Sequence, residues 1–396
     1  MAEVAVLLLR PRDRGPEPVD VPARDYFSAA QIERGDDFRT GQLWLFGLRT
    51  AVELGVLVAL VRRPPLVLDR GARRPVLAGA AAGAALSLTL GAATLPIRAI
   101  ARERAKDVGL VTQSWTGYAG DVAKGEAIGA VLAGAGGALL MFGLRRFGSR
   151  WWVPGTVVVI AFGVLGSYAS PVVLDPLFNK FDKLPPGELR SDVLDLARRA
   201  GVDVGEVYEV DASRRTTASN AYVTGLGHTK RVVLYDNLMK DFSPAEVRLV
   251  VAHELGHVRH RDVPHGLLWL ALVAPAGMWA AALLAERLVP RGAPAMTAVP
   301  AVALAVGLVA TPVTMISSQL SRAVERRADA FSLALTRDPE SFIGFEKRIA
   351  VKNVADVEPP AWTTFLLASH PPTLERIGQG VAYQRLLERG AAPPIP

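Results

Sequence analysis

Residues 250–262 read VVAHELGHVRHRD. Two histidines stand four apart with a glutamate directly after the first, and on a helix positions i and i+4 share a face. His253 and His257 are therefore placed to hold one metal ion, with Glu254 in reach of a water beside it. With 6 histidines in 396 residues, the spelling HExxH arises by chance in roughly half a per cent of such chains. A strong helix start lies just upstream: Ser243, Pro244 and Glu246 fit N-cap, N1 and N3 of a capping box.

The chain around this helix is apolar. Hydrophobic residues make up 50% of it, and the mean hydropathy is +0.25. Membrane segments are expected at that level. Cysteine is absent, which excludes disulfides and thiolate zinc sites, so a metal must be held by His, Asp or Glu. The formal charge is +7. Most basic residues are arginines flanking apolar stretches, and no aromatic-basic motif accompanies them, so a nucleic-acid partner is not expected. The early run VAVLLL is too short for a signal-peptide core.

Six apolar stretches approach the ~20 residues that a bilayer requires. They fall at 43–61, 76–97, 125–144, 151–174, 266–289 and 296–317. Arg49 and Glu53 form an i,i+4 pair in the first. The second carries Gly79, Gly83, Ser87 and Gly91, the third Gly125, Gly129, Ala133 and Gly137. Such rows let helix backbones approach closely in lipid, although an Ala/Gly-rich composition alone also produces them. The polar region 175–265 reads as a folded unit, with a helix near 187–200, strand-like runs at 204–210 and 230–236, and NAYVTG between those strands. The organisation expected is four spans within 1–174, a polar protease-like unit at 175–265, a membrane hairpin at 266–317, and a soluble part at 318–396. An even number of spans puts both ends and the polar unit on one side. Arg62, Arg63, Arg70, Arg73, Arg74, Arg145, Arg146 and Arg150 lie opposite it, and Arg24, Arg34, Arg39, Arg98, Arg102, Arg104 and Lys106 lie with it, so the charge rule is close to balanced.

Catalytic zinc takes three protein ligands and leaves one position open. No histidine stands where the extended motif HExxHxxGxxH would put the third. The best third ligand is Glu325, in ERRAD on the helical pattern leaving the last span, with Asp329 one turn on and placed to orient a ligand histidine. The alternative is a solvated face in which these acids pair with Arg322 and Arg326. His257 precedes the fifth span and Glu325 follows the sixth at similar distances, each about 12–14 Å from the apolar boundary at helical rise. The hairpin brings both to one membrane face. His228, His260 and His265 are read as surface or interface residues, and Arg259 and Arg261 as meeting solvent or headgroups.

SNAYVTG (219–225), KRVVLYDNL (230–238), HELGH (253–257), ERRADAF (325–331) and SHPPTLERI (369–377) together resemble the integral-membrane zinc endopeptidases of the CAAX prenyl protease 1 type. YFSAAQIERG (26–35), GLVTQSW (109–115) and DPLFNKF (175–181) fit as well, so the likeness runs from about residue 25 to 380. It implies a multi-pass α-helical membrane protein bearing a zincin-type α+β protease unit with a small sheet. It implies zinc on His253, His257 and Glu325, Glu254 as general base, and Asp329 behind the ligands. It also implies Asn220, with Ala221 and Tyr222, along the substrate, and His370 and Arg376 near the site. His370 is the candidate donor to the oxyanion, with a plain helix-start histidine as alternative; Asn220 also reads as a turn residue. The apolar stretch that the likeness puts before YFS is missing, so six spans are expected. The implied substrate is a peptide or membrane-associated protein, prenylated in the CAAX case. Other readings are a quality-control metalloprotease of membrane proteins, and a non-catalytic receptor or transporter on a zincin scaffold; Glu254 argues against the latter. Abundant Ala, Gly and Arg point to a high-GC bacterium, hence a bacterial cell membrane with the site on the cytoplasmic side.

Overall fold

The computed structural model describes residues 1–13, 15–64, 74–225 and 230–391; Arg70, Arg73 and His228 lie outside the described residues. A short apolar helix α1 (Ala2–Leu9) and a single turn α2 (Ala23–Tyr26) lead into four long helices, α3 (Ala29–Arg62), α4 (Pro75–Asp107), α5 (Trp115–Phe147) and α6 (Trp152–Val173). The turn α7 (Asp175–Phe178), strand β1 (Phe181–Lys183) and helix α8 (Glu188–Arg199) follow. Next come β2 (Glu206–Val210), β3 (Ala221–Thr224), β4 (Arg231–Tyr235), α9 (Asp236–Asp241) and α10 (Pro244–Arg259), which carries HELGH. The long pair α11 (Asp262–Leu288) and α12 (Ala298–Thr336) precedes α13 (Pro339–Lys352), α14 (Ala361–Leu367) and α15 (Thr373–Glu388). Among the described residues, α3, α4, α5, α6, α11 and α12 are long and apolar enough to cross a membrane, which matches the six expected spans.

Two long helices overrun their apolar windows. The start of α3 at Ala29 is fixed by a capping box in which Gln31 N–H donates to Ser28 Oγ and Ser28 N–H to Gln31 Oε1. With 39 residues, α12 is about 58 Å long, so one rigid rod carries a membrane span and the ERRAD segment beyond it.

The rows of small residues on α4 and α5 meet antiparallel. A Cβ on Gly83 would lie 2.1 Å from the Ala133 carbonyl oxygen, and one on Gly137 the same distance from that of Gly79. Ser87 faces Gly129, and Gly91 leaves room for the Glu126 carboxylate, which Arg98 binds at 2.7 Å. Arg49 and Glu53 pair at 2.8 Å on α3.

The sheet order is β1-β2-β4-β3, with β2 and β4 parallel and the outer pairs antiparallel, so β3 is an edge strand. Val207, Val232 and Leu234 are fully buried in one cluster with Val193 and Leu196 of α8, Val251 and Leu255 of α10, and Phe331 and Leu335 of α12. The polar region and the end of the chain thus share a core. Residues 15–22 cross over that end. Gly15 sits against Ala330, Val19 N–H donates to the Gly378 carbonyl at 3.2 Å, and Val21, Ala23 and Phe27 pack with Ala350, Val357 and Ile377.

Candidate active site

The capping box at the start of α10 forms as the sequence requires: Glu246 N–H donates to Ser243 Oγ at 3.3 Å and Ser243 N–H to Glu246 Oε2 at 2.8 Å. Three turns further on, the Nε2 atoms of His253 and His257 lie 3.1 Å apart. Glu325 of α12 faces both, with Oε2 3.2 Å from His253 Nε2 and Oε1 3.6 Å from His257 Nε2. These separations bracket the edge of a tetrahedron around zinc, about 3.3 Å for ligand bonds near 2 Å. Arg322 donates instead to the carbonyls of Thr364 and Ala368, and Arg326 binds Glu375. Neither neutralises Glu325 or Asp329, so the solvated-face alternative fails.

The outer ring nitrogens explain why this cluster fits a cation. His253 Nδ1 is 2.8 Å from Asp329 Oδ1, and His257 Nδ1 is 2.9 Å from Asp262 Oδ2. A carboxylate only accepts, so each Nδ1 carries a proton and Nε2 is the ring atom left for a cation to take. Two Nε2 atoms and a carboxylate then converge on one point. Glu325 Oε2 is buried there without a hydrogen-bond partner among the described residues. The ligating atoms of His253, Glu254 and His257 also lie within 4.8 Å of one another. Of the two glutamates, Glu325 is the one that turns a separate oxygen to each histidine.

The site floors a cleft of about 480 Å³ lined by Asn220, His253, Glu254, Glu325, Glu346, His370 and Arg376 among others. Burial pushes the Glu254 carboxyl above its usual range, opposed by His253 and His257. His370 is largely exposed, with Nε2 3.5 Å from Glu325 Oε2 and Nδ1 beside Ser369 Oγ. Arg376 bridges two buried acids. Its Nε and Nη2 donate to Asp329 at 2.8 and 2.6 Å, and its Nη1 lies 2.9 Å from Glu346. Burial pushes Glu346 up to about 7 against the pull of Arg376.

Ala221 and Tyr222 are placed differently from Asn220. The Ala221 side chain is buried in the sheet core, and the Tyr222 hydroxyl points to Asp175. Neither lines the cleft, so only their backbone can serve a ligand there. His260 and His265 stay off the centre, turned to the Gly256 and His260 carbonyls. Arg259 and Arg261 are exposed. Two contributors carry no sequence expectation. Asp262 stands within the opening stretch, and Arg261, in the left-handed conformation at φ 57°, turns the chain so that Asp262 reaches back to His257. Arg327 binds the other oxygen of Asp262. Glu346 arrives from α13.

The family model for peptidase family M48 matches residues 183–380, and that for the CAAX prenyl protease N-terminal region, five membrane helices, matches residues 79–180. An uncharacterized metalloprotease of Bacillus subtilis, YhfN, is 31% identical over 300 residues, covering 74% of this chain and 70% of its own. CAAX prenyl protease 1 of Saccharomyces cerevisiae is 38% identical over 143 residues, which is 35% of this chain but 31% of the yeast protein. The crystal structure of S. mikatae Ste24p has the same fold, with TM-score 0.74 at 18% identity and 96% of each chain covered. With half its length matched by the peptidase model and a bacterial relative aligned across most of both chains, the protein belongs to peptidase family M48 and is a multi-pass membrane metalloendopeptidase.

Proposed function

We propose that this endopeptidase uses one zinc ion, held by His253, His257 and Glu325, to cut a peptide or membrane-associated protein of the CAAX type, prenylated or not. The observation that carries the reading is the convergence of two Nε2 atoms and the Glu325 carboxylate beside Glu254 in a cleft. Zinc supplies a Lewis acid that acidifies water and polarises the scissile carbonyl when bound. Glu254, whose carboxyl is pushed above its usual range by burial, takes the proton from the attacking water and passes it to the leaving amine. His370, exposed at the cleft wall, donates to the oxyanion. Asp329 and Asp262 hold the two rings by Nδ1–H, and Arg376 holds Asp329. The free edge of β3 accepts the peptide as an added strand through the backbone of Ala221 and Tyr222, with Asn220 at its cleft end. The likeness to a Bacillus protein supports a bacterial cell membrane. We place the site on the cytoplasmic side; the Lys/Arg balance across the spans is close to even.

One experiment tests these points together. Sealed vesicles of each orientation, carrying wild type, Glu254→Gln or Glu325→Ala, are given a farnesylated CAAX peptide or its unlipidated twin. Inside-out wild-type vesicles are expected to cleave; right-side-out ones are not. Glu254→Gln should retain a full zinc complement and lose at least ~10²-fold in rate. Glu325→Ala should lose zinc. Wild-type rates from Glu254→Gln, or full zinc in Glu325→Ala, would overturn the assignment, and the twin shows whether the lipid matters.

A further inference from the structure

At the end of the spans remote from the cleft, helices α4, α5, α6, α11 and α12 enclose a slot of about 430 Å³. Gly136, Phe147, Trp151, Gly155, Met278 and Ala303 represent its walls, and no charged or hydroxyl-bearing side chain lines it. It follows α5 from Ala133 to Phe147, about 21 Å at helical rise, which is the length scale of an extended acyl chain rather than of a compact ligand. A cavity this apolar excludes water and takes hydrocarbon.

The mouth of the slot has the opposite character. Phe147 and Trp151, both lining residues, bracket the turn from α5 to α6, and Arg145, Arg146 and Arg150 stand at that turn. The Arg146 guanidinium lies 5.5 Å from the Phe147 ring centre. All three arginines are exposed, and none has an ion-pair partner among the described residues. The sequence holds no acidic residue between Glu126 and Asp175 to neutralise them. Basic side chains at this depth attract anionic headgroups. A hydrocarbon-shaped slot with exposed arginines at one end, without an ion-pair partner among the described residues, has the shape and charge of one molecule class.

We propose that the slot binds one acyl chain of an anionic glycerophospholipid, with its phosphate on Arg145, Arg146 and Arg150. The site is independent of the peptidase chemistry at the other end of the molecule. A prenyl group on a substrate would use the apolar walls but has no need of the arginines, and this separates the two occupants.

Native mass spectrometry of the full chain, extracted from nanodiscs of phosphatidylglycerol or phosphatidylcholine, tests the proposal. Wild type should retain one phosphatidylglycerol and little phosphatidylcholine. Nothing lies within 4 Å of a Cβ built on Gly136, so Gly136→Phe starts a bulky side chain into the slot without a clash at Cβ and should abolish retention. The double variant Arg145→Gln/Arg146→Gln leaves the slot open and should weaken phosphatidylglycerol retention roughly tenfold or more. Equal retention of both lipids by wild type, or wild-type retention by Gly136→Phe, would overturn the site. So would stoichiometric displacement of the lipid by a farnesylated peptide, which would make the slot a substrate site. If Gly136→Phe does not fold, the arginine variant still decides the headgroup.

Discussion

Asp262 and Asp329 hold the two histidine rings in the same way but sit in different surroundings. Asp262 is paired with Arg327 at the start of α11, whereas Asp329 is fully buried and is the main partner of Arg376. Both Asp262→Asn and Asp329→Asn should weaken zinc binding about 10–100-fold, read by competition with a chelator, because an amide no longer fixes the Nδ1–H tautomer. Asp329→Asn should also lower the melting temperature more than Asp262→Asn does, since Asp329 is fully buried and its loss leaves Arg376 with Glu346 alone; removal of one partner of a buried pair costs up to about 3–5 kcal/mol. Equal melting temperatures for the two variants would show that Arg376 does not depend on Asp329. At this scale the sequence is most legible where helical period alone sets the geometry. His253, Glu254 and His257 share a helix face by spacing, and Glu325 and Asp329 do the same one rod away. Asp262 was in plain view yet silent, because its reach to His257 depends on a left-handed arginine, and arginine does not advertise that conformation as glycine would. Glu346 comes from a helix with no local pattern linking it to the centre.

The clearest element-level contact is the one between α4 and α5, where backbones touch at Gly79, Gly83, Ala133 and Gly137. Gly83→Leu should force the pair apart and destabilise the detergent-solubilised protein by about 1–3 kcal/mol or more, measured as loss of thermal stability. Gly125 belongs to the same row in sequence but has open space around a built Cβ, so Gly125→Leu should be close to neutral. A large loss in both, or in neither, would refute the contact. Both rows could be read in advance because the i,i+4 spacing of small residues is a local signal, and the antiparallel order then follows from the short connection between neighbours. The true start of α3 was missed for a different reason. Its polar first turns look like a loop to a hydropathy scan, and the Ser28–Gln31 box that nucleates them lies outside the apolar window.

For the molecule as a whole, the segment 15–27 ties the beginning of the chain to its last helices. A Cβ on Gly378 would lie 2.1 Å from the Val19 carbonyl oxygen, so a side chain there cannot coexist with the crossing strand. Gly378→Leu should release residues 15–22, seen as rapid tryptic cleavage at Arg12 or Arg24, while the protein still resists extraction from the bilayer by carbonate. Persistent protection of those arginines would show that the crossing is held elsewhere. Nothing in the sequence announces this tie: contacts between positions near 20 and near 377 leave no local period or cap behind. The tie also has a consequence for how the protein is made. The ribosome delivers residues 15–27 long before their partners on α13 and α15, and delivers Glu254 long before His370 and Arg376, which complete the cleft. The HELGH helix is therefore expected to stay dormant while the later spans are inserted, until the late-made end of the chain returns to its early-made beginning.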